Sequence, residues 1–173
     1  MYTSESCVFV QRLTEQFLKH QPDSILFRDK ENKNYATLAS EFIKACNTFS
    51  GVKSFLHQEA DMAKELGATG VHLTSQQFDK ISYAKSLGLE VVISTHTFDE
   101  VRLAEEMGAN AVTYSPIFFS PGKGTPKGIE DLKKVVESFS INIYALGGII
   151  EEEQVQYIEK ANAYGFASIR YFT

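Results

Sequence analysis

The sequence predicts an α/β fold in which parallel strands alternate with helices, and three observations predict it. A short motif recurs at near-equal spacing as Ala63-Lys-Glu-Leu-Gly67, Ala84-Lys-Ser-Leu-Gly88 and Ala104-Glu-Glu-Met-Gly108. Each copy leads into an apolar run, Gly70-Val-His-Leu73, Val91-Val-Ile-Ser94 and Ala111-Val-Thr-Tyr114. Continuous apolar strands spaced by helices read as a parallel sheet covered by helices, because such strands are buried on both faces.

Each repeat glycine suits the left-handed position that ends a helix, where a side chain would clash. Helix, glycine, strand and loop are therefore one unit repeated. The rhythm extends upstream to Ser24-Ile-Leu-Phe-Arg28, a helix over Tyr35 to Phe49 and the strand Val52 to Leu56. Downstream follow a helix over Glu130 to Ser138, the strand Ile141 to Ala145, a helix over Glu151 to Lys160 and a last strand within Tyr164 to Ile169. These seven strands predict a TIM (βα)8 barrel, a fold that usually takes about 250 residues. At 173 residues it is expected to be shortened at the N-terminal first strand, with Met1 to Ser4 as its tail, and to lack the last helix. A doubly wound open sheet ranks second, because its GxGxxG fingerprint after the first strand is absent.

One domain over residues 1–173 accounts for the length. Seventeen Lys and Arg against 22 Asp and Glu give a formal charge of −5, which argues against nonspecific nucleic-acid or anionic-membrane binding. Cys7 and Cys46 form no CxxC pair and no metal-ligand spacing, so neither a disulfide framework nor a zinc site is expected. The first residues lack the basic start and apolar core of a signal peptide, and no run approaches a membrane span. A soluble, cytoplasmic protein is the expectation.

In such a barrel the chemistry sits at the C-terminal ends of the strands. Read in that order, those ends offer Arg28, Asp29 and Lys30; His57, Gln58 and Glu59; His72, Thr74 and Gln77; Ser94, Thr95 and His96; Tyr114 and Ser115; Gly147 and Gly148; and Arg170. Cationic side chains gathered on one rim of an acidic protein point to an anionic ligand. The loop from Ser115 to Gly128 is rich in Gly and Pro and carries Lys123 and Lys127; it reads either as a flap closing over a ligand or as an ordinary surface loop. Gly147-Gly148 precedes the helix near Glu151, so its N–H groups and the helix N-terminus suit a phosphate, and a tight turn that needs glycine for shape alone is the other reading. Thr97 or Asp99 suits the cap of the next helix. His72, between Val71 and Leu73, reads as a structural histidine.

Taken together, Ile25-Leu-Phe-Arg-Asp-Lys30, Gly70-Val-His-Leu73, Ile93-Ser-Thr-His-Thr97, Ser115-Pro-Ile-Phe118 with Gly122-Lys-Gly124, and Ala145-Leu-Gly-Gly-Ile149 resemble the thiamin phosphate synthase/TenI family over nearly the whole chain. The resemblance implies a TIM barrel of thiamin biosynthesis. The synthase of that family is a transferase that joins hydroxymethylpyrimidine diphosphate to a thiazole phosphate and releases pyrophosphate. It implies that Arg28, Lys30 and Lys123 face the pyrophosphate, that Ser94 and Ser120 contact the ligands, and that Gly147 and Gly148 hold the thiazole phosphate; Arg170, a cation directly after the last strand, is expected to join them at the phosphate. Preorganised cations with Mg²⁺ would stabilise the departing pyrophosphate.

The departures from the family bear on activity. At the two aspartates that hold Mg²⁺ in the synthase, this chain has Gln58 and Gln77, and losing two negative charges removes most of the attraction for a hard dication. The glutamine expected before Arg28 is Leu26, and the serine expected after the last strand is Arg170. The histidine of the TenI-type tautomerases aligns with Pro116, which cannot transfer a proton. The leading expectation is a TenI-like binder of a thiazole phosphate or thiamin phosphate; the alternative is an active synthase. A homodimer is expected to cover the apolar stretches Cys7 to Val10 and Ile169 to Phe172.

Overall fold

A computed structural model of the chain describes residues 2–4, 9–29 and 33–172. Strands and helices alternate along it: β1 (Tyr2–Ser4), α1 (Phe9–His20), β2 (Ser24–Phe27), α2 (Tyr35–Cys46), β3 (Lys53–His57), α3 (Ala60–Leu66), β4 (Gly70–Leu73), α4 (Ile81–Ser86), β5 (Glu90–Thr95), α5 (Phe98–Glu106), β6 (Ala111–Tyr114), α6 (Ile129–Ser138), β7 (Asn142–Leu146), α7 (Glu152–Lys160) and β8 (Gly165–Ala167). A 3₁₀ turn over Arg170–Phe172 follows β8. All strands are parallel and lie in sequence order, which rules out the doubly wound arrangement.

The expected closed eight-stranded barrel is corrected in one respect. The strands form one curled sheet, and among the described residues no ladder joins β8 to β1. Closure needs hydrogen bonding between the outermost strands, and here each of those is only three residues long.

The repeat units fold as their sequence dictates. Gly67, Gly88 and Gly108 have φ of 73°, 80° and 80°, the left-handed geometry that ends α3, α4 and α5 and turns the chain into the next strand. Thr97 caps α5: its Oγ1 accepts the Glu100 N–H at 3.2 Å, and the Glu100 carboxylate accepts the Thr97 N–H at 3.1 Å.

Alternation along the strands separates two apolar layers. Ile25, Phe27, Leu56, Val71, Leu73, Val91, Ile93, Val112, Ile143 and Ala145 pack against the helices as the main core, where each large side chain contributes about 1.5–3 kcal/mol of burial. Their neighbours Leu26, Phe55, Val92, Ala111 and Ala167 form a second cluster on the concave face, with Tyr144 and Leu146 against it. Gly70 leaves room for Phe55 there, since a Cβ at Gly70 would lie 2.6 Å from the Phe55 ring. Beyond this apolar floor, the next inward residues are polar: His57, His72, Ser94 and Thr113.

At the C-terminal end, Phe172 is buried, and its ring lies over Phe166 at 5.7 Å. That part of the stretch expected to need a partner is covered by the chain itself. Cys7 and Val8 lie outside the described residues. No helix among the described residues is long and apolar enough to cross a membrane.

Candidate functional site

A cavity of about 540 Å³ opens above the apolar floor at the C-terminal ends of the strands. It brings together Arg28 after β2, Ser94 on β5, Ser120 and Lys123 of the β6–α6 loop, Gly147 and Gly148 after β7, and Arg170 after β8. Lys30 lies outside the described residues. No Asp or Glu lines the cavity among the described residues, while three cationic side chains and three histidines do. A low-dielectric pocket with that imbalance favours an anion.

Gly147 and Gly148 are glycine for a packing reason as well as a conformational one. Their φ values are 101° and 72°. A Cβ on Gly147 would lie 2.9 Å from Pro116 Cα, and one on Gly148 would lie 2.7 Å from the Phe118 carbonyl carbon. The β6–α6 loop is thus pressed onto the end of β7, with the Ile117 N–H donating to Leu146 O at 2.9 Å and the Phe118 N–H to Gly147 O at 3.0 Å. The same loop closes on itself at its base, where Lys127 N–H reaches Pro116 O at 2.9 Å and Gly128 N–H reaches Ile117 O at 3.0 Å. Its stalk is fixed; its tip, from Pro121 to Pro126, is exposed.

Just before α7, part of the donor set that the strand–glycine–helix order offers an anion is already taken. The Gln154 Oε1 accepts the N–H groups of Ile150 and Glu151 at 2.7 and 3.0 Å, and its Nε2 donates to Gly148 O at 2.9 Å. The first turn also carries Glu152 and Glu153, whose charge opposes a phosphate there. What remains for an anion at this end is the backbone of Gly147 and Gly148, with Arg170 facing the same space.

Thr113 and Ser168 line the cavity and were not singled out from the sequence. Thr113, on β6, is 1% exposed, and its Oγ1 has no hydrogen-bond partner among the described residues. Ser168, just past β8, donates from its hydroxyl to Ile149 O at 2.7 Å and ties the β7–α7 loop to the last strand. His72 lines the cavity opposite His57 rather than serving only the core. A polar residue at alternate positions of an apolar strand was the available signal for Thr113 and His72.

His57 and His72 lie directly across the β3–β4 ladder. Their Nδ1 atoms are 3.4 Å apart, and the side chains are buried. The Tyr35 hydroxyl holds the His57 backbone, donating to its carbonyl at 3.4 Å and lying 3.3 Å from its N–H. Burial pushes the Tyr35 phenol up to about 12, so it stays a neutral donor.

The residues at the family's metal positions do not suit Mg²⁺. Gln58 is exposed, with φ at 68°, and neither it nor Gln77 lines the cavity. The Gln77 Oε1 accepts from the N–H and hydroxyl of Thr74 at 3.1 and 3.2 Å, fixing the turn after β4. A hard dication requires several oxygen donors, usually carboxylates, and this donor set does not supply them.

Comparison with known proteins agrees with the fold. The family model described as "Thiamine monophosphate synthase" matches residues 4–172. A relative from Aquifex aeolicus, "Putative thiamine-phosphate synthase 2", is 33% identical over 164 residues, covering 91% of this chain and 87% of that protein. The thiamine-phosphate synthase of Caldivirga maquilingensis is 33% identical over 159 residues, covering 88% of this chain and 76% of its own. The solved thiamine phosphate pyrophosphorylase of Pyrococcus furiosus shares the fold, with a TM-score of 0.83 at 23% identity over 97% of this chain and 84% of that one. A match over nearly the whole chain, joined to a curled parallel sheet with its cavity at the strand C-termini, places this chain in the thiamine monophosphate synthase (TenI) family.

Proposed function

We propose that this chain is a TenI-type protein that binds a thiazole phosphate or thiamin phosphate in the cavity above the sheet. The observation that carries the reading is the lining: Arg28, Lys123 and Arg170 around one space that no described carboxylate enters. The Gly147 and Gly148 backbone and Arg170 would receive the phosphate. Arg28 and Lys123, with Lys30, would face a second anionic group, and Ser94 and Ser120 would contact the rest of the ligand. In this reading the protein acts as a single domain in the cytoplasm.

Thermal denaturation with the phosphate and with its alcohol tests it. Thiazole phosphate is expected to raise the melting temperature and the dephosphorylated alcohol to do so much less. Equal shifts would remove the phosphate site.

An active synthase is the second reading, supported by 33% identity to thiamine-phosphate synthases over most of the chain. The missing carboxylates at Gln58 and Gln77 count against it. Assay of thiamin phosphate formation from the two substrates, with and without Mg²⁺, separates the readings; no product at high protein concentration excludes the synthase. For assembly, sedimentation at micromolar concentration tests the homodimer, and a single species near 19.4 kDa rules it out.

A further inference from the structure

Thr113 has a feature that the anion-binding reading does not use. Its side chain is 1% exposed and lines the cavity, and its Oγ1 has no hydrogen-bond partner among the described residues. Buried hydroxyls close by are satisfied: Thr95 Oγ1 donates to Thr113 O at 3.1 Å, and Ser168 Oγ donates to Ile149 O at 2.7 Å. A buried hydroxyl without a partner costs stability, and valine would fill the same volume at no such cost. Its place in the sheet narrows what can pair with it. The register partners of Thr113 on β5 and β7 are Ser94 and Tyr144, neither of them charged. Leu26, Leu146 and Ala167 of the apolar floor line the same space. Arg28 and Arg170 stand beyond strand ends and Lys123 in the β6–α6 loop, nearer the rim.

We propose that Thr113 is a specificity-determining residue of this cavity: its hydroxyl donates to the ring nitrogen of an uncharged heteroaromatic phosphate, whose ring rests against Leu26, Leu146 and Ala167. The proposal rests on the phosphate-binding reading and chooses within it. A hydroxyl donates to a ring nitrogen only where that nitrogen keeps its lone pair. The nitrogen of a thiazole phosphate keeps it, whereas in thiamin phosphate the same nitrogen is alkylated and the ring is a cation. Two effects then oppose thiamin phosphate: Thr113 finds no acceptor on the ring, and Arg28, Lys123 and Arg170 repel its positive charge. Thr113 meets the cavity over little surface, which suits a single ligand atom and not a hydrated ion. Rotation about χ1 exchanges its hydroxyl and methyl groups at that wall. The ligand would therefore lie with its charge at the rim and its ring below, against β6.

Calorimetric titration of the purified full-length chain tests it, with three ligands: thiazole phosphate, thiamin phosphate and the thiophene analogue of the first, in which CH replaces the ring nitrogen. The unaltered chain should bind thiazole phosphate roughly tenfold more tightly than either of the others, the ratio expected for one hydrogen bond. Thr113→Val should lose the distinction between thiazole phosphate and its thiophene analogue, and Thr113→Ser, which keeps the hydroxyl, should retain it. Equal affinity of the unaltered chain for those two ligands, or a preference that persists in Thr113→Val, overturns the proposal while the phosphate site stands. Failure of the unaltered chain to bind thiazole phosphate at all overturns it together with the phosphate reading. Should Thr113→Val fold poorly, the comparison of the two ligands on the unaltered chain and on Thr113→Ser decides it: both must prefer the thiazole, and a lack of preference in either overturns the proposal.

Discussion

His96 Nδ1 lies 3.1 Å from the backbone carbonyl oxygen of Ser115. A carbonyl can only accept, so this contact selects the Nδ1–H tautomer, whereas the Ser115 hydroxyl, 3.3 Å from the same nitrogen, would donate to it in the Nε2–H tautomer. The contact crosses from the end of β5 to the end of β6, directly beside Pro116, where a tautomerase of this family carries its histidine. Long-range ¹H–¹⁵N spectra of the chain at neutral or mildly alkaline pH should show His96 as the Nδ1–H tautomer. An Nε2–H tautomer would mean that the Ser115 hydroxyl, and not its carbonyl, orients the ring.

Glycine substitutions should separate backbone strain from steric conflict. Gly108 has φ of 80° with nothing within 4 Å of a built Cβ, so Gly108→Ala should cost about 1 kcal/mol through conformation alone. Gly148 combines φ of 72° with a Cβ 2.7 Å from the Phe118 carbonyl carbon. Gly148→Ala should therefore cost roughly 2–4 kcal/mol, adding overpacking to strain, and should displace the β6–α6 loop. Urea unfolding of the two variants checks the order; equal losses would show that the loop yields freely.

Neutralising the rim cations should weaken anion binding. Arg28→Gln, Lys123→Gln and Arg170→Gln are each expected to reduce pyrophosphate or thiazole phosphate affinity by roughly tenfold, as loss of one charge-assisted contact implies. Binding in the unaltered chain should also weaken as salt rises. Calorimetric titration measures both, and three variants that bind like the parent would move the anion site elsewhere.

Stability should fall on the alkaline side. Burial pushes the Tyr35 and Tyr144 phenols from 10.0 up to about 12 and the Cys46 thiol from 9.0 up to about 12. These groups are neutral when protonated, so above pH 9 to 10 the unfolded chain releases protons that the folded chain keeps. Their contribution is complete below the unfolded values and is lost as pH rises through 9 to 12. Urea midpoints should hold steady from pH 7 to about 9 and then decline; a midpoint unchanged at pH 11 would contradict the burial of these groups.

The fold was legible where each unit repeats the same physics: a glycine that ends the helix, then a strand apolar enough to be buried on both faces. β1 was legible only as a tail, since Tyr2–Ser4 is too short to show a pattern. The open sheet was not legible, because closure depends on pairing between the first and last strands and no residue type signals it. Within the site, Arg28, Ser94, Lys123 and Gly147-Gly148 could be found because they follow strands. Thr113 was obscured by apolar neighbours that point the other way, and His57 and His72, although read at strand ends, carried no sign in the sequence that they face one another. Gln154 was missed because capping of the N–H groups just before α7 looks, in sequence, like any polar residue in a first turn.

The concave face of the sheet is built in two storeys, with Phe55, Val92 and Ala111 below and His57, Ser94 and Thr113 above. The lower storey is apolar and cohesive while the upper one is polar and faces the cavity, so mutations in the two should be felt by different properties. A lineage carrying this scaffold can exchange its reactive groups one at a time while the folded state persists. Loss of an ancestral activity then leaves an intact vessel, open to recruitment for another cargo, rather than a chain that decays into an unfolded remnant.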